Sequence, residues 1–330
     1  MGRAAPPGRR AAPRAHPHAP PHPDRGLHSK APCRTRPMLE QQLVNGVVLG
    51  ATYALFAVGF TLMFGVMGVI NLTYGVYFAL GAFAALWTTQ GLGLGIAAAL
   101  PVGALVAGLV AVAIDSLLLT RLRRAKAPEL ASLMVTLGAT LFLYAGMAAW
   151  LGTEIRRFPA AIFDGGAYSL GSVRVGTTQL LIIGAAFLFV AALLALVRGS
   201  RLGLAIRAVA ENPEAAALMG INGGLMVRVV SFLSGAIGGA AGVLVGLNFN
   251  AIQPFMGEHM MLRGFAVIIV GGLGDLRGAL VAGLLLGFAE VLTAAYISST
   301  FKDLTAFALL VATLWFRPMG LFGRAAAKRA

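Results

Sequence analysis

Histidine, cysteine and glycine-rich runs are the residues here that could do chemistry, and their spacing does not support it. Four of the five histidines, His16, His18, His22 and His28, crowd into the first 37 residues. The single cysteine, Cys33, rules out an internal disulfide and gives no metal-site pattern. No His, Cys or carboxylate cluster has metal spacing, and there is no HExxH. Gly271-Gly272-Leu273-Gly274 lacks the Lys-Ser/Thr ending and the strand–helix setting of a phosphate loop. The reading therefore assigns no catalytic residue, no metal site and no cofactor.

Two stretches could do mechanical work instead. Residues 201–222 are too polar to span a bilayer yet have helical character. Ala205, Ala208 and Val209 share one side, and Ala216, Met219 and Gly220 another. Pro213 divides the stretch into two short helices, with Asn212 positioned to cap the second. Such an elbow can dock another protein, or it can be a plain interfacial linker. The second stretch is Gly271–Gly278, which interrupts an apolar run. In transporters, glycine-interrupted segments point toward the translocation path.

The elements that hold these stretches belong to a membrane protein. Gln41–Ile114 runs for 74 residues without Asp, Glu, Lys or Arg. A crossing needs ~20 mainly apolar residues, so this run can hold three. The whole chain is 58% hydrophobic and only 12% charged, with 43 glycines that suit close helix packing in lipid. The runs do not alternate as the strands of a membrane barrel would. The fold expected is all-α, a polytopic bundle of eight to nine membrane segments with a glycine-interrupted segment near the C-terminus.

Segments are expected near 43–66, 72–90, 92–114, 131–151, 180–197, 226–248 and 300–316. Residues 262–296 read either as two crossings or as one with a re-entrant or broken helix. Residues 152–177 and 248–259 read as polar loops. Glu290, alone in an apolar run, is expected to face protein or water. With Arg121–Lys126 inside, residue 41 is outside and the C-terminus cytoplasmic. The net charge of +14 owes much to residues 1–37, which hold eight basic residues and nine prolines. The remainder carries 18 basic and 11 acidic residues, ordinary for basic cytoplasmic loops. Residues 1–37 are read as a disordered Pro/His-rich extension, with translation starting at Met38 as an alternative; 38–323 is the membrane domain and 324–330 a basic tail. So few buried ionisable groups argue against a proton-driven pump. Energy for transport would come from a partner.

Four stretches carry a family resemblance: Gln42–Gly46 through Gly59, Phe64–Val66 and Asn71; Gly203–Asn222; Phe265–Gly274 through Ala279, Gly283, Gly287 and Glu290; and Arg317-Pro-Met-Gly-Leu-Phe-Gly323. Together they cover roughly residues 40–323, and the chain resembles the LivH-type integral membrane permeases of bacterial branched-chain amino acid ABC importers. The resemblance implies a second, related permease subunit, two cytoplasmic ATPase subunits, an extracytoplasmic solute-binding protein and a place in the bacterial inner membrane. It also implies a coupling loop at Gly203, Arg207, Ala208, Glu211, Asn212, Ala217 and Gly220. For the substrate path it suggests Asn71, Thr73, Tyr74 and Gly75, to which the glycine interruption adds Gly271, Gly272 and Gly274. Family members commonly carry Asn-Phe-Ala-His-Gly-Glu where this chain has Asn71-Leu-Thr-Tyr-Gly-Val76. That departure leaves open leucine, isoleucine and valine, another amino acid, a short amide, urea or an aromatic acid. A secondary transporter and a purely structural membrane protein are the readings from other classes.

Overall fold

Backbone groups in lipid must find their partners within the segment, so long apolar runs free of breakers become helices. The computed structural model describes residues 2, 35–125, 127–159, 166–170 and 173–323. Residues 3–34 of the expected extension and the basic tail 324–330 lie outside the described residues. The membrane domain belongs to one compact unit, Arg36–Ala330.

In chain order the helices are α1 (Thr35–Met67), α2 (Tyr74–Gly91), α3 (Ile96–Ile114), α4 (Thr120–Arg124), α5 (Glu129–Leu151), α6 (Thr177–Gly199), α7 (Arg201–Glu211), α8 (Pro213–Leu218), α9 (Gly223–Phe249), α10 (Met256–Gly271), α11 (Leu276–Tyr296) and α12 (Lys302–Phe316). The all-α expectation holds, with one small addition. Within the expected polar loop 152–177, β1 (Ala167–Leu170) and β2 (Val173–Gly176) form an antiparallel hairpin. The Gln41 side chain clamps it, donating to the Arg174 carbonyl and accepting from the Arg174 N–H, both at 3.0 Å.

Among the described residues, seven helices are long and apolar enough to cross a membrane. They are α1, α3 with its continuation to Arg124, α5, α6, α9, α11 and the stretch Ser299–Phe316. The expected segment near 72–90 corresponds to α2 and the opening part of the expected 262–296 stretch to α10, and both helices fall outside that set. The first carries Thr88, Thr89 and Gln90, and the second is only 16 residues long. Boundaries also move. The helix begun by α3 does not stop at Ile114 but runs on through a π-helical turn, Asp115–Leu119, into α4. The physical reason is local: the buried Asp115 carboxylate accepts from Arg123 Nη2 at 2.7 Å, which holds the extra turns together. α10 likewise begins at Met256, inside what reads as a loop.

The centre of the bundle is built from α1, α2, α3, α9 and α10. Phe56, Phe60, Tyr74 and Phe78 are fully buried there, with Phe60 stacked on Tyr74 at 5.2 Å and Phe265 of α10 edge-on to Phe60 at 5.1 Å. Lipid offers helices no hydrophobic gain from associating, so close approach of backbones does that work. At the meeting point of α2, α3 and α9, a Cβ on Gly81 would collide with the Gly239 backbone, and one on Gly103 with the Gly81 carbonyl. Overpacking a well-filled core costs about 1–3 kcal/mol or more. Gly81→Leu meets backbone rather than a yielding side chain and is expected to exceed that range. The purified variant should lose its monodisperse elution in detergent, and a normal elution profile would contradict this packing.

Candidate functional site

The elbow forms as two helices. Ser200 Oγ accepts from the Gly203 N–H at 2.9 Å and starts α7. Asn212 ends that helix and caps the next: its Oδ1 accepts from the N–H groups of Glu214 and Ala215, both at 3.0 Å, with Pro213 in the first turn where no N–H is needed. Ile206 and Val209 bury one face of α7, and Ala216 alone is buried in α8. The remainder of α8 stands free. Leu218 and Met219, both apolar, are 89% and 83% exposed. Glu211, Asn212, Ala217 and Gly220 are exposed as well, Gly220 with a φ of +82°.

The elbow and the glycine interruption share a cavity of about 670 Å³. Arg198, Ile206, Arg207 and Ala210 form one wall, Leu273–Arg277 the opposite one, and the end of α1 (Thr61, Leu62, Gly65, Val66) the third. Phe322 and Gly323 complete the rim. The loop geometry explains the glycines. Gly272 and Gly274 have φ of +105° and +86°, a backbone region that side-chain-bearing residues avoid. Asp275 then caps α11, accepting from the N–H groups of Arg277 and Gly278 at 2.8 and 3.0 Å. The terminal Arg317–Gly323 segment folds back on the end of α10: Leu321 N–H donates to the Val270 carbonyl at 2.8 Å and Phe322 N–H to Gly271 at 3.1 Å. Those are carbonyls that a helix end leaves without partners.

The structure thus brings Arg207 and Gly274 together on one cavity. Gly203 and Ala208 sit in the supporting layer of the elbow, and Gly271 and Gly272 are buried against Gly278 and the C-terminal fold-back. Asn71, Thr73, Tyr74 and Gly75 lie elsewhere, in the packed interior at the start of α2. Asn71 Oδ1 accepts from the Thr73 N–H at 3.0 Å, Thr73 Oγ1 bonds the Tyr77 hydroxyl at 2.7 Å, and Tyr74 donates to the Phe56 carbonyl at 3.1 Å. The Asn71 Nδ2 group has no hydrogen-bond partner among the described residues.

Two features escape sequence reasoning. One is a polar network through four helices. Glu290 of α11, 1% exposed, accepts from the Tyr53 hydroxyl of α1 at 2.7 Å and lies 3.3 Å from Arg263 Nε of α10. Arg263 also reaches Asp303 of α12 at 2.8 Å and covers the Tyr53 ring at 5.8 Å. Glu290 therefore does face protein. The other is the junction of α2 and α10. α2 begins in the interior, α10 at a partly exposed turn of which Gly257 is the buried residue, and a Cβ on Gly257 would collide with the Gly75 carbonyl. Tyr144 of α5 points its hydroxyl at this junction.

The model of the family described as "Branched-chain amino acid transport system / permease component" matches residues 42–314. The chain is 34% identical over 296 residues to the high-affinity branched-chain amino acid transport system permease protein LivH of Escherichia coli K12, covering 86% of this chain and 95% of that protein. It is 32% identical over 295 residues to the permease protein BraD of the corresponding Pseudomonas aeruginosa PAO1 system, again covering 86% and 95%. Among solved structures, PsaBC from Streptococcus pneumoniae in complex with Fab aligns at TM-score 0.47 and 14% identity over 86% of this chain and 93% of that one.

Proposed function

The chain belongs to the family of branched-chain amino acid transport system permease components, and from that premise we propose that it forms one membrane half of an ABC importer for leucine, isoleucine or valine. A second, homologous permease completes the path, two ATPase subunits dock at the elbow end, and a solute-binding protein delivers substrate to the other end. This places the chain in a bacterial inner membrane with the basic elbow end and the C-terminus in the cytoplasm, as the distribution of arginines favours. α2 and α10 count as membrane segments in this reading, giving nine, with α10, at 16 residues, as the short one. Residues 1–37 stand outside the transport domain, 38–323, as does the basic tail 324–330.

The observation that carries the reading is the free tip of the elbow. Leu218 and Met219 are large apolar side chains left 89% and 83% exposed among the described residues. A helix pair presenting such residues away from the bundle fits an interface with a separate protein. The same elbow forms one wall of the cavity that Leu273–Arg277 closes. Movement of a docked ATPase pair is thereby passed to the ends of α1, α10 and α11, and the chain performs no covalent step of its own. The substituted run Tyr74-Gly75-Val76 does not by itself favour another solute. Tyr74 and Val76 are both fully buried in the apolar interior, where neutral residues are at home.

The test is reconstitution in liposomes with partner permease, ATPases and binding protein, followed by ATPase and uptake measurements on a panel of amino acids, amides and urea. Leucine, isoleucine or valine is expected to stimulate hydrolysis and to be taken up only with ATP. Uptake that persists without the ATPases would send the chain to the gradient-driven carriers instead.

A further inference from the structure

We propose that the α2–α10 junction is the site where the carboxylate of the transported amino acid is held, with the Tyr144 hydroxyl as its side-chain donor. The inference rests on the reading of the chain as an amino-acid permease and names a contact within it.

Helix N-termini present unpaired N–H groups and the positive end of the helix dipole, a combination that suits a carboxylate. Two such ends meet here, at the first turns of the 18-residue α2 and the 16-residue α10. Neither has a side-chain cap hydrogen bond. The N–H groups of Tyr74, Val76, Met256 and Glu258 go to the carbonyls of Asn71, Thr73, Gln253 and Phe255, which among the described residues leaves those of Gly75 and Gly257 for a ligand. The independent observation is Tyr144. It is 4% exposed, and its hydroxyl has no hydrogen-bond partner among the described residues. That oxygen stands 2.8 Å from where a Cβ on Gly75 would be and 2.6 Å from where one on Gly257 would be. A buried phenol without a partner carries a cost of about 1–3 kcal/mol, which a ligand oxygen in the same place removes. The ring is held in position by Phe255, 5.6 Å away.

The neighbouring charge selects the class of ligand. Glu258 follows Gly257 and is exposed on the outward side of α10. A simple anion such as phosphate would be repelled by it, whereas a zwitterion can give its ammonium to Glu258 and its carboxylate to the helix ends. In the present state the two glycine backbones touch, so the site is shut. Substrate enters when α10 moves away from α2, and the absence of side chains at both positions is what lets the contact close again behind it.

The test uses the assembled transporter without its binding protein, with radiolabelled leucine as the probe and leucinol, in which an alcohol replaces the carboxylate, as competitor. Leucine should bind, leucinol should fail to compete, and Tyr144→Phe should weaken leucine binding about tenfold or more. Phe keeps the ring against Phe255, and the hydroxyl has no partner to lose, so the melting temperature of the variant should not fall. Glu258→Gln should weaken leucine binding as well. Wild-type affinity in Tyr144→Phe, or leucinol competing as well as leucine, overturns the site while leaving the importer reading intact. So does a wild-type assembly that imports leucine but shows no leucine site of its own. An assembly that imports urea or an amide and no amino acid overturns both.

Discussion

Replacing Leu218 and Met219 together by aspartate is expected to abolish ATP-driven uptake while leaving the permease folded. Each side chain is already more than four-fifths exposed, so the change removes almost nothing from the bundle. Burying a Leu or Met in an interface is worth about 1.5–3 kcal/mol. Losing two such anchors therefore weakens docking by roughly 3–6 kcal/mol, or about 10²- to 10⁴-fold in affinity. Two carboxylates forced into an apolar contact make the deficit larger. The ATPases should no longer co-purify with the permease, substrate-stimulated hydrolysis should vanish, and the melting temperature of the permease should stay within a degree or two. Full uptake in this variant would show that the elbow is only an interfacial linker. Asn212→Ala offers a graded companion. Losing an N-cap costs about 1 kcal/mol, which should loosen α8 and reduce coupling without destroying it.

Much of this arrangement was legible in the residues because the bilayer leaves so few options. A run such as Leu180–Val197 must satisfy its own backbone, and it forms α6. The elbow was legible for a different reason. Pro213 lacks an N–H and Asn212 offers an acceptor two to three residues ahead, so that pair marks a helix end and a helix start wherever it falls. Long-range pairings carried no such mark. Arg263 and Glu290 are each visible as a lone charge in an apolar run, but nothing local says that they meet. Tyr144 sits in α5 with no neighbour in sequence to distinguish it from any packed aromatic. Its importance comes from two glycines, one 69 residues before it and one 113 after. The hairpin at 167–176 escaped because its strands are only four residues each. The π-turn escaped because it depends on a side-chain bond between Asp115 and Arg123, eight positions apart.

The second large effect falls on the Arg263–Glu290 pair, and it should be strongly asymmetric. Glu290 is 1% exposed, whereas Arg263 is 24% exposed and has Asp303 as a second anion. Removing Arg263 leaves a buried carboxylate that has lost its ion-pair partner and keeps the Tyr53 hydroxyl as its hydrogen-bond donor. Breaking a buried pair in this way costs about 3–5 kcal/mol. Removing Glu290 is milder, since the guanidinium keeps Asp303 and part of its access to water. The order expected is therefore Arg263→Met worse than Glu290→Met, with the double replacement recovering most of what Arg263→Met loses. For a bundle of this size the larger loss corresponds to a fall of roughly 6–20 °C in melting temperature. Differential scanning in detergent on the four proteins completes the cycle. If the double variant is no more stable than Arg263→Met, the pair is not coupled and the network has no role in holding α10. If the order holds, the consequence reaches the junction. Arg263 is seven residues along α10 from Met256, and its partners on α1, α11 and α12 fix the helix whose first turn closes on Gly75. A permease that tolerates the double replacement in stability should still lose part of its transport rate, because α10 would then move without the contacts that return it to one position.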